Sequence, residues 1–317
     1  MQRHTDRTQP LKVASYGSRN ERSRDRLIPE LVSGGLVIRA DVVNSFLFIG
    51  TGRKFFANPL PKISSVDVEK VTEINALGEL VEENANINGE PVIPGSTLKG
   101  SVRSRIEHLF MPHDNTIEAC YSVSKVRGRV SQNRFNRRHL KVYGYPKYGG
   151  TIPERGHCSP PEEVCVVCDM FGALSLGSKV NFSDALMERG GYEVRTMSFG
   201  HNKGNYVLVD PGSVFKFTVS FINLTWEQLG LLLMGMRLHE GKPMLIGRFK
   251  YAKRKVNDQL SALGRVKMSL LEAYTYNYRG GIPVRKREDA RIITKAVDEA
   301  KSKFKLRDLD EAVEVNR

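Results

Sequence analysis

Residues 91–110, PVIPGSTLKGSVRSRIEHLF, carry the clearest helical pattern in the chain. Leu98, Val102, Ile106, Leu109 and Phe110 recur at i, i+4, i+8, i+11 and i+12, which predicts one apolar face of a helix. A second amphipathic helix is predicted from Trp226 through Leu238. Thr225 and Gln228 have the spacing of a capping box at its start, and the single Trp226 is read as core. A third, charged helix is expected over 289–306, after the turn Gly280-Gly281-Ile282-Pro283. Alternation predicts strands at Leu36–Val43, Val180–Ala185, Val194–His201, Tyr206–Val209 and Ser213–Ile222. The short apolar run Phe46–Ile49 ends in Gly50-Thr51-Gly52, where backbone can approach a ligand. From Phe55 to Glu90 neither period persists. Pro59, Pro61 and a run of acids point to a long loop there. Residues 1–27, polar and basic, read as a flexible arm.

Charge changes the reading of the first helix. After the turn Ile93-Pro94-Gly95, Ser96 stands where an N-cap belongs. Lys99 and Arg103 then add positive charge to a terminus that is already partly positive, and no acid precedes Glu107. A docked anion resolves the conflict, phosphate above all; the plainer alternative is a solvated basic face. Over the whole chain, Lys+Arg 49 against Asp+Glu 35 gives +14, an excess that fits a polyanion partner. No apolar run is long enough to span a bilayer and the polar start is unlike a secretory signal, so a cytoplasmic protein without membrane contact is expected.

Residues 119–153 hold no Asp or Glu. Lys125, Arg127, Arg129, Arg134, Arg137, Arg138 and Lys141 lie there, interleaved with Tyr121, Phe135, Tyr143, Tyr145 and Tyr148. Basic groups neutralise phosphate and aromatic faces stack on unpaired bases, a combination suited to single-stranded RNA. The metal candidates follow. Cys165 and Cys168 form a Cys-x₂-Cys pair, with His157 and Cys158 just upstream and Cys120 further back. Zn²⁺ takes about four sulfur or nitrogen ligands. Cys158 supplies a third, and either Cys120 or His157 the fourth. Such a zinc would pin an insertion rather than take part in chemistry.

The string IPGSTLKGSVRS (93–104) closely resembles the IPGSSLKG-x-hydrophobic-R signature of the RAMP superfamily, the RNA-binding proteins of CRISPR effector complexes. Cys165–Gly172 followed by Lys179–Ala185 resembles the family's C-x-x-C-x-x-FG … V-x-FSDA segment, and FIGTG (48–52) its first glycine turn. Gly247, with Arg248, Lys250 and Lys253, sits where the family has a glycine-rich loop, here with side-chain charge in place of most glycines. The resemblance implies an α+β chain: a ferredoxin-like, RRM-type sheet in β-α-β-β-α-β order, with a long loop insertion and a zinc-bearing insertion. The implied division is a flexible basic arm (1–30), a core (31–266) with insertions at about 53–91 and 113–170, and a C-terminal helical extension (267–317).

The implied function is that of a backbone subunit of a type III-like CRISPR ribonucleoprotein. Its partners would be guide RNA, complementary target RNA, other subunits of the effector complex and further copies of itself. The implied RNA contacts are Gly50, Gly52, Arg53, Ser96, Lys99, Arg103, Gly247, Arg248, Lys250 and Lys253, together with the basic stretch at 125–141. Asp67 is the counterpart of the aspartate with which some such subunits cut target RNA with Mg²⁺, Glu69 and Glu73 being alternatives. A non-cutting subunit and a RAMP endoribonuclease of precursor RNA are the other readings within the family. A zinc-containing RNA-binding protein of ribosome assembly is the reading outside it.

Overall fold

Strand β1 (Val32–Val42) shows why a sheet forms here. Leu36, Ile38, Ala40 and Val42 are buried on one side, while Val37, Arg39 and Asp41 alternate to the other. In the computed structural model the described residues are 12–17, 24–57, 79–111, 113, 116–122, 125–126, 129–130, 155–156, 158, 160, 162–199, 202–251, 253–279 and 281–309. After β1 come β2 (Gly50–Phe56), β3 (Leu80–Asn84), β4 (Glu90–Ile93) and helix α1 (Gly95–Leu109). Helix α2 (Val166–Phe171) precedes β5 (Val180–Phe182), β6 (Ala185–Arg189), β7 (Tyr192–Phe199), β8 (Asn202–Val209) and β9 (Val214–Leu224). The remainder comprises α3 (Trp226–Gly235), β10 (Arg254–Val256), β11 (Gln259–Ser261), β12 (Arg265–Arg279), β13 (Ile282–Glu288) and α4 (Arg291–Lys303).

The main sheet is nine-stranded, with the central order β12-β1-β9-β6-β4; β5 also pairs with β9, and β13 with β12. Neighbours are antiparallel: Phe217 faces Ile38 across β9 and β1, and Met268 faces Ala40 across β12 and β1. Taking β1, α1, β5/β6, β9, α3 and β12 in chain order gives β-α-β-β-α-β, the connectivity of a ferredoxin-like sheet. The three longer helices cover one face, α4 packing along α3 and α1 against α3. A second, six-stranded sheet runs β11-β10-β7-β8-β3-β2. It has its own small core of Phe48, Met197, Tyr206, Leu208, Val256 and Leu263.

Three expectations need correction. The stretch 55–90 is not all loop: β2 reaches Phe56, and β3, the pair Asn86–Ile87 and β4 are strands. The partner of β3 is remote, the strand running parallel to β8 (Val81 opposite Asn205), so no local period announces it, whereas Asn86–Ile87 and β4 form a local hairpin through Asn88-Gly89. Asp67, Glu69 and Glu73 lie outside the described residues. The described parts of the basic arm, within 12–17 and 24–30, make packing contacts. Lys12–Val13 pairs with Thr116–Ile117, the Tyr16 hydroxyl lies 2.9 Å from Thr225 Oγ1, and the Arg24 guanidinium reaches Asp169 at 3.0 Å. Finally, the core does not end at 266. Strand β12, placed in the C-terminal extension by the sequence, pairs with β1 from Val42 to Gly34 and is the fourth strand of the ferredoxin-like order.

Candidate nucleic-acid interface and metal centre

Helix α1 begins two residues earlier than the sequence indicates. Pro94 is its N-cap, and Ser96 is exposed and makes no capping hydrogen bond. The carboxylate that the terminus lacks locally comes from 89 residues away: Gly95 N–H donates to Asp184 Oδ1 at 2.7 Å. A Cβ on Gly95 would stand 2.2 Å from the Phe182 carbonyl oxygen, so only glycine lets the helix start press against the end of β5. The IPGS and FSDA motifs therefore meet in space, each explaining the other. Asp184 at the strand end was visible in the sequence; that it caps a remote helix was not.

Further along α1 the basic side chains turn towards the protein. Lys99 Nζ donates to Ser178 Oγ at 2.8 Å, and burial, then the charge of Arg103, pushes its pKa below the usual value. Arg103 is held on three sides: Nε to Glu107 (2.9 Å), Nη1 to the Gly172 carbonyl (2.8 Å) and Nη2 to Cys168 Sγ (3.4 Å). Burial opposes its charge, but the Glu107 hydrogen bond leads the effects that together raise its pKa. Arg105 is fully buried and donates to the Leu309 carbonyl.

The thiol that Arg103 touches belongs to a cluster. Cys120, Cys158, Cys165 and Cys168 place their sulfurs within 4.8 Å of one another. Cys120 stands 3.4 Å from Cys158, 3.5 Å from Cys168 and 3.8 Å from Cys165. These separations exceed the roughly 2.05 Å of a disulfide. They match the ~3.8 Å between corners of a tetrahedron drawn at about 2.3 Å from zinc. Backbone N–H groups of Cys158, Cys165 and Cys168 donate to the sulfurs of Cys120, Cys158 and Cys165 in turn. With protons alone the set divides. Hydrogen bonding, from Cys120 first, pulls Cys158 and Cys168 down, while Cys120, bonded first to Cys158, and Cys165 are pushed up. Four like thiolates cannot all ionise side by side without a cation between them. The donor set fits a structural metal, with Cys120 completing it. His157 lies outside the described residues.

The other expected contacts fall on the second sheet. Gly50, Gly52 and Arg53 are exposed along β2. Gly247 lies against the Phe48 carbonyl, to which Arg248 N–H donates at 2.9 Å. The exposed Arg248 guanidinium pairs with Glu82 at 2.9 Å, Lys54 approaches the same carboxylate at 3.9 Å, and Lys250 sits 5.3 Å from the Tyr251 ring. Lys253 is exposed. Gly52, Arg53 and Arg248 thus belong to one region, away from α1. Of the basic stretch, Lys125–Val126 and Arg129–Val130 form a two-residue pairing. The side chains of Lys125 and Arg129, and all of Arg127, Arg134, Arg137, Arg138 and Lys141, lie outside the described residues.

Among the described residues no helix is long and apolar enough to cross a membrane. The model of one family, the RAMP superfamily, matches residues 41–310. No curated protein matches the chain. Among solved structures, Thermofilum pendens Csc2 is 16% identical, with 96% of this chain and 85% of that chain covered and a TM-score of 0.38.

Proposed function

The chain belongs to the RAMP superfamily, and on that premise we propose that it is a cytoplasmic backbone subunit of a CRISPR ribonucleoprotein. It binds guide RNA through the phosphate backbone and leaves sequence reading to base pairing with the target. The observation that carries this reading is the family match over 41–310. It is supported by Arg53, exposed on the glycine-bearing strand β2, and by the exposed Lys253, which can neutralise phosphates without reading bases. The four cysteines would hold Zn²⁺, which ties the 113–170 region to α1 and adds folding free energy rather than chemistry.

Sequencing the RNA that co-purifies with the native complex tests the proposal. Repeat-derived guides of uniform 5′ end are expected. Random or ribosomal RNA would overturn it and favour a zinc-containing protein of ribosome assembly. Target cutting would be added to this function by Mg²⁺-dependent cleavage of guide-paired RNA that Asp67→Ala abolishes.

A further inference from the structure

Strands β12 and β13 form a ribbon that outruns the sheet. The pairing of β12 with β1 stops at Thr275, opposite Gly34, whereas its pairing with β13 continues from Ala273 to Arg279. Tyr274 lies opposite Gly35, and a Cβ on Gly35 would stand 2.5 Å from the Tyr274 hydroxyl oxygen. The ring therefore covers the side of β1 that carries Val37, Arg39 and Asp41, away from the helices. Alternation along β12 puts Tyr276 and Tyr278 on that same face. The register adds Arg287 opposite Tyr274 and Arg285 opposite Tyr276. The Arg285 guanidinium stacks 3.9 Å from the Tyr274 ring centroid, and the Tyr274 and Tyr276 rings meet edge to face at 5.8 Å.

Elsewhere on the open face some of the cations have acidic partners. Arg39 pairs with Asp41 at 2.7 Å and Lys216 with Glu188 at 3.6 Å. Arg285 and Arg287 are exposed, and neither forms an ion pair among the described residues. Glu272, at the base of the ribbon, faces the same way. The exposed apolar side chains of β13, Ile282 and Val284, alternate to the opposite side. One side of the ribbon is thus tyrosine and arginine.

We propose that Tyr276 and Tyr278, with Arg285 and Arg287, form a binding surface for single-stranded RNA, bases stacking on these two rings and phosphates meeting the arginines, while Tyr274, its ring lying over Gly35 and under the Arg285 guanidinium, holds that arginine in place. This surface lies across the sheet from α1 and is separate from the guide contacts proposed on the second sheet. The full chain, stripped of RNA at high salt, is titrated with a fluorescent 15-nucleotide oligouridylate at several salt concentrations. Arg285→Glu with Arg287→Glu should weaken binding at least tenfold and flatten the log K against log salt slope by about 1.4, or 0.7 per lost phosphate contact. Tyr276→Phe should bind like the natural chain, and Tyr276→Ala roughly fivefold or more weakly. Because the two arginines are exposed, the double variant should melt as the natural chain does, which separates this loss from misfolding. Unchanged affinity and slope would overturn the proposal, as would loss of a protein subunit from the native complex with oligouridylate binding intact. Guides still recovered with the double variant would leave the guide-binding function standing in either case.

Discussion

Two groups of cations face different fates in this molecule. Those of α1 are turned inward: Lys99 onto Ser178, Arg103 onto Glu107, Gly172 and a thiol, and Arg105 into the core. Arg285 and Arg287 of the β12–β13 ribbon point outward, with only a tyrosine ring against Arg285 among the described residues. The difference is that α1 is surrounded by acceptors from distant segments, whereas among the described residues no distant segment supplies acceptors to Arg285 and Arg287. A positive charge that the fold has already neutralised contributes little to holding a polyanion; one left in solvent beside an aromatic face contributes much.

The comparison can be broken most forcefully at the thiols. Cys165→Ser should abolish metal binding and cost more than about 4 kcal/mol, lowering the melting temperature on the order of 10 °C. Equal metal content and melting in variant and natural chain would remove the metal centre. A smaller effect is expected for Arg103→Met, which keeps the stem but strands Glu107 and the Gly172 carbonyl. It should cost about 1–3 kcal/mol, and its zinc affinity, measured by competition with a chromogenic chelator, should fall about 10–100-fold. Unaltered zinc affinity would show that Arg103 is not tied to the cluster. Asp184→Ala removes the remote cap of α1 and should cost about 1 kcal/mol in urea unfolding, with Asp184→Asn recovering part of it. A full effect from Asn as well would point to the charge rather than the hydrogen bond. Smallest of all, Arg285→Ala with Arg287→Ala should stay within about 0.5 kcal/mol of the natural stability. A larger loss would mean that the ribbon arginines, like those of α1, serve the fold.

Much of the architecture was legible because it rests on local pattern. The apolar stripe of α1, the capping box at Thr225 and the alternation of Ser213–Ile222 all appear as expected. So does the meeting of the Cys-x₂-Cys pair with further sulfur ligands. What stayed hidden is long-range. Strands β2 and β3 are polar and partly exposed, and only their pairing with each other and with β8 makes them strands. From the sequence the core ends at 266, because β12 reads as an extension until β1 is set beside it.

By itself, then, the order of residues determined the helix faces, the alternating strands, the excess of positive charge and the family, because periodicity, composition and short motifs are properties of neighbours along the chain. Tertiary structure alone decided that Asp184 caps α1, that Cys120 joins the other three cysteines, that Arg103 faces a thiol and that Arg285 does not face an acid. Each depends on which distant atoms come within about 3–4 Å, where hydrogen bonds and ion pairs take effect.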